Sequence, residues 1–156
     1  MKSKSRKLIE YYGIDTCSSN EIKYFNQFNV DSIFFMNYRE LNIYEITKFW
    51  ASVDVIDYEI YKTPKGQSLE GQILTGNKVL VSCDLDLKFE YLDVNDKRIN
   101  TSYRKVPFFV DVCLPNNFSN SSKLKISVLI EDILAQKIDE EILYNNTSMI
   151  AIIDIC

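Results

Sequence analysis

Histidine is absent from this 156-residue chain, and glycine and proline together fill only seven positions. Histidine is the usual general base near neutral pH and the usual partner of a catalytic serine or cysteine, so its absence removes most hydrolase and transferase mechanisms. Carboxylates, lysines, tyrosines and thiols remain for chemistry. The scarcity of glycine and proline, beside 46% hydrophobic residues, excludes a linker or low-complexity tail. No apolar run reaches the roughly 18 residues that span a bilayer. The cysteines, Cys17, Cys83, Cys113 and Cys156, never form a CxxC pair, which argues against a zinc site. No basic run follows the first seven residues and the net charge is -4, so nucleic acid is not an expected partner. The opening stretch MKSKSRKLIEYYGID has the positive start of an export signal without its apolar segment of about 7–15 residues, and synthesis in the cytosol is expected.

What is present is alternation. In KVLVSCDLDLKFEYL, Lys78 to Leu92, the residues Val79, Val81, Cys83, Leu85, Leu87, Phe89 and Tyr91 share one face at period two, with Lys78, Ser82, Asp84, Asp86, Lys88 and Glu90 on the other. That predicts a long strand with one wet face. The same period runs through Val106 to Leu114, Leu124 to Ile130 and Met149 to Ile155. Phe49 to Lys62 alternates with a change of phase that predicts a β-bulge near Val55 or Ile56. Asp93 to Ser102 and Pro115 to Lys123, rich in Asn, Asp and Ser, read as hairpin connections. Ile130, Leu134, Ile138 and Ile142 repeat every four residues, so a short helix or turn competes there with a strand. The segment before Phe49 offers another strand or two. The expected fold is mainly β, an antiparallel two-sheet β-sandwich with at most one short helix. Residues 1–20 read as a flexible basic N-terminal arm and 21–156 as one domain.

Three of the four glycines, and Pro64, crowd into TPKGQSLEGQILTG, Thr63 to Gly76. Gly66, Gly71 and Gly76 have the spacing of a phosphate-binding loop, but neither Gly71 nor Gly76 is followed by Lys and Ser/Thr, and a strand follows in place of a helix. The stretch is a structural signature in which Pro64 stops a strand and at least one glycine takes a positive φ. Asp84 and Asp86 on one wet face, and the acidic group Glu131, Asp132, Asp139, Glu140 and Glu141, are candidate cation sites. A charged, solvated face is the simpler reading of both, and neither a metal nor a cofactor is expected. Cys83 falls on the apolar face, as a buried thiol, and Cys113 on the opposite one. Cys17 and Cys156, near the ends, are the candidates for cross-links between copies.

TPKGQSLEGQILTGNKVLV resembles the sequence that introduces the SPOCS domain, a spore-coat assembly domain of spore-forming bacteria. DLKFEYL (Asp86 to Leu92), VPFFVDVCLP (Val106 to Pro115) and LIEDILAQKIDEEILYNN (Leu129 to Asn146) are similar to the family's later landmarks, in order. The chain departs from it in NYRELNIYEITKFW, which lacks the family's proline-containing segment, and in having no LysM segment. The resemblance implies a non-enzymatic structural module of the spore coat or outer spore surface, self-assembling or binding other coat and envelope proteins. With ten tyrosines and nine phenylalanines, a carbohydrate-binding β-sandwich is the alternative, which an exposed row of aromatic side chains would favour.

Overall fold

The computed structural model describes residues 8–16, 22–67, 73–119 and 122–156. These residues form seven strands and no helix: β1 (Glu10–Tyr12), β2 (Tyr24–Phe35), β3 (Ile43–Gln67), β4 (Ile73–Asp93), β5 (Ile99–Cys113), β6 (Leu124–Asp139) and β7 (Ile142–Ile155). One sheet has the order β1-β3-β4-β5 and the other β2-β7-β6. All pairings are antiparallel except β1 with β3. The architecture is a two-sheet β-sandwich.

The period-two pattern of β4 decides the core. Val79, Val81, Cys83, Leu85, Leu87, Phe89 and Tyr91 are all buried. Opposite them β7 presents Leu143, Met149, Ala151 and Ile153, also buried. Two polar residues share that inward face of β7, and both are satisfied. Asn145 donates to the Leu134 carbonyl at 3.0 Å and accepts from the Thr147 hydroxyl at 3.0 Å, which removes most of the cost of burying them.

The phase change in β3 is a register shift between Val55 and Asp57, as the alternation predicts. A second shift lies between Ile130 and Asp132 of β6, inside the stretch whose four-residue repeat competes with strand in the sequence. Across this bulge the inward positions change phase, so Ile130, Ile133 and Ala135 are buried while Leu134 and Ile138 point out. The region is strand as far as Asp139, followed by a two-residue turn at Glu140 and Glu141, and holds no helix. A spacing of four residues is two full strand periods as well as about one helical turn, so the repeat by itself does not separate the two.

Two further expectations are corrected. Pro115 to Lys123 is not a hairpin connection: it carries the chain from β5 in one sheet to β6 in the other. Pro64 does not stop a strand, since β3 continues to Gln67 with a register shift between Lys62 and Lys65. Beyond Trp50 the outer side of β3 has no neighbouring strand among the described residues. A proline lacking its N–H is tolerated at such an edge. Within the stretch read as a flexible arm, β1 pairs with Lys48 to Trp50 of β3 and Ile9 and Tyr11 pack against the core, while Leu8 remains exposed.

Candidate functional site

The outer face of the four-stranded sheet collects the most distinctive side chains. Strand register places Tyr12, Trp50, Lys88 and Tyr103 in one row across β1, β3, β4 and β5. The Tyr12 and Trp50 rings stack with centroids 5.2 Å apart at 17°. On its other side Trp50 meets the Lys88 ammonium, 4.6 Å from the ring centroid, and Lys88 in turn lies 5.9 Å from the Tyr103 ring. Such spacings follow from strands about 4.8 Å apart whose side chains stand off the sheet side by side. Both faces of Trp50 are therefore used within the protein, while Tyr103, on the edge strand β5, is 67% exposed. A shallow cleft of about 350 Å³ runs beside the row, bordered also by Ser52 and Asp86.

Asp84 and Asp86 lie next along this face, and Lys105 of β5 approaches both, at 3.8 and 3.9 Å. Burial, a hydrogen bond with Asp54 and the charges of Asp54 and Asp84 raise the Asp86 carboxyl above its usual value, against the pull of Lys105. A lysine between two carboxylates occupies the place a cation would take. The acidic group on β6 is divided. Glu131 accepts from Gln27, Asp132 bonds the Ile133 N–H at the bulge, and Asp139 bonds the Glu141 N–H in the β6–β7 turn. Among the described residues no cluster of acidic and cysteine side chains has the arrangement of a metal site.

Of the glycines in the signature, Gly66 has φ +149° and Gly76 φ +94°, while Gly71 lies outside the described residues. Gly13, which the sequence reading does not single out, has φ +107°, and a Cβ there would stand 1.9 Å from the Ala51 carbonyl oxygen. Its signal was only its place, one residue after a Tyr-Tyr pair. Cys83 is buried and Cys156 exposed, with Cys113 between. Burial first, and the neighbouring Asp84 second, push the Cys83 thiol up to about 11. Cys17 lies outside the described residues.

The sequence also gave no sign of the link between the Asn37–Glu40 turn and β5. Arg104 holds Glu40 through two bonds, of 2.7 and 3.0 Å, and reaches the Phe35 carbonyl at 3.2 Å. Ser102 donates to the same carboxylate. Burial opposes ionisation of Glu40, but the bonds from Arg104, Ser102 and the Asn37 N–H outweigh it and hold the carboxyl below its usual value.

No protein-family model, curated protein or solved structure matches this chain. No helix among the described residues is long and apolar enough to cross a membrane.

Proposed function

We propose that this chain is a non-enzymatic structural module that self-associates and, with other coat and envelope proteins, builds the coat or outer surface of a bacterial spore. The observation that carries self-association is the bare edge of β3. From Asp54 to Glu59 every residue is exposed, including Val55, Ile56 and Tyr58, and beyond Trp50 no described strand pairs with that edge. An open edge offers unpaired N–H and C=O groups to an incoming strand. Asp54, Asp57 and Glu59 along it discourage indiscriminate pairing and favour a strand that brings basic residues. The spore surface as the place of action is supported by the sequence resemblance to the SPOCS domain.

Light scattering and electron microscopy of the purified protein test this reading. Rings, sheets or fibres are expected, and Ile56→Lys together with Tyr58→Lys should reduce them. A compact monomer at every concentration would remove self-association. Carbohydrate binding is the second reading, favoured by the exposed Tyr103 at the end of the aromatic row. Retention on an immobilised polysaccharide, lost in Tyr103→Ala, would support it.

A further inference from the structure

The edges of β3 and β6 run along the same side of the sandwich, and residues 8–16 close the seam between them. Ile9 and Tyr11 pack against the core, with the Tyr11 ring 6.4 Å from Phe49. The Tyr11 phenol accepts the Ala135 N–H at 3.0 Å and donates to the Ala135 carbonyl at 3.3 Å. Asp15 answers Ile130, beside the β6 bulge, in the same double fashion: its N–H donates to the Ile130 carbonyl at 2.8 Å and its carboxylate accepts the Ile130 N–H at 2.8 Å. Gly13 lies so close to Ala51 that no side chain fits between them. Without this segment Ala135 and Ile130 of β6 would lose these partners and the core beside them would be open to water, so the seam favours an occupant.

Nothing local dictates that the occupant come from the same chain. β1 makes the only parallel pairing among the described strands, and a parallel pair cannot form as a tight hairpin. After Asp15, at the free edge of β6, the chain must reach Tyr24 on β2, across the whole three-stranded sheet. Tyr24 pairs with Ile153, which pairs with Ile126. Strand spacing and rise put Asp15 and Tyr24 roughly 20 Å apart in a straight line. The nine steps between them reach at most about 30 Å when fully extended. A route around the end of the sheet, or over its side chains, takes up much of the difference. A connection with only about 10 Å to spare favours exchange of the attached element between copies, because the same contacts then form without that limit on the chain's path.

We propose that the β3/β6 seam is a strand-acceptor site and that, in assemblies of this protein, residues 8–16 of one copy fill the seam of another. This rests on the self-association proposed above and names the element exchanged. Trp50, the only tryptophan, reports it, since its ring stacks on Tyr12 only when the seam is filled.

The test changes the length of the connection. Deleting Ser18, Ser19 and Asn20 leaves six steps, with a reach of about 20 Å, too short for a chain to fill its own seam by any real route but not a neighbour's. This variant should run wholly as dimers or larger species, with the Trp50 emission of the unaltered protein. Six Gly/Ser residues inserted at the same place should raise the monomer share several-fold at fixed concentration. Gly13→Ala in the shortened chain should return it to monomer with altered Trp50 emission. A shortened chain that stays monomeric with altered emission would overturn the proposal. Should it fail to fold, the lengthened chain decides: an unchanged monomer share overturns exchange. Unaltered protein that assembles with a mass insensitive to both changes removes exchange and leaves self-association standing. Unaltered protein that is monomeric while the shortened chain assembles shows an acceptor seam and removes the self-association reading.

Discussion

The thiols differ by environment more than by number. Cys83 is enclosed by the core and its pKa is pushed up to about 11, whereas Cys156 is exposed on the last residue of the chain. Access and thiolate content both set thiol reactivity, so at pH 8 exposed Cys156 should react with a disulfide reagent in the folded protein, and Cys83 only after denaturant is added. Timed labelling of the folded protein with peptide mapping checks this, and labelling of Cys83 as fast as Cys156 without denaturant would contradict the buried placement. Glu40 offers a second residue-scale outcome. Because its folded pKa is depressed, its contribution is present above the unfolded value of about 4.3, and is lost as pH falls through the lower folded value. Glu40→Gln should cost about 3 kcal/mol at pH 7, chiefly by leaving Arg104 half-buried without its partner. The difference from wild type should shrink at pH below about 4. Urea melts at the two pH values measure both.

At the scale of elements, bulges and glycines shape the strands. Gly66 and Gly76 both have positive φ, but nothing lies within 4 Å of a Cβ at Gly66, whereas Gly76 is buried. Gly66→Ala should therefore cost about 1 kcal/mol, from backbone strain alone. Gly76→Ala should cost more, because there the same positive φ is combined with burial of the backbone. Thermal melts of the two variants would rank them, and the opposite order would mean that the strand at Gly76 adjusts freely. The β4–β5 hairpin has its own determinant. Asp93, buried, accepts the Asn95 and Asp96 N–H groups at 3.0 and 2.7 Å and the Asn100 amide at 3.0 Å. The bonds to Asp96, then Asn100 and Asn95, outweigh the effect of burial and keep this carboxyl below its usual value. An aspartate that satisfies a turn in this way is the reason the Asn- and Asp-rich stretch after β4 does form a hairpin.

For the whole molecule, the proposed assembly predicts covalent reinforcement. Once cells lyse and the surroundings oxidise, Cys156, exposed beside the end of β7, and Cys17 are the thiols expected to join copies. Non-reducing gels of the oxidised protein should show reducible oligomers that diminish in the double variant Cys17→Ser, Cys156→Ser. Oligomers undiminished in that variant would assign the cross-link to other residues.

The sequence by itself determined the fold class, because a half-buried strand writes its two faces into alternate residues: the seven apolar positions of β4 and the phase change at Val55 to Asp57 were legible without coordinates. It hid what depends on residues far apart in the chain. The four-residue spacing along β6 suited helix and strand alike, and Pro115 to Lys123 looked like a hairpin, because composition marks a turn without saying which sheet follows it. Only the tertiary structure placed Tyr12, Trp50, Lys88 and Tyr103 in one row, joined Glu40 to Arg104 and seated residues 8–16 between β3 and β6. Those contacts are set by register between strands and by the closing of one sheet over the other, and local periodicity carries neither.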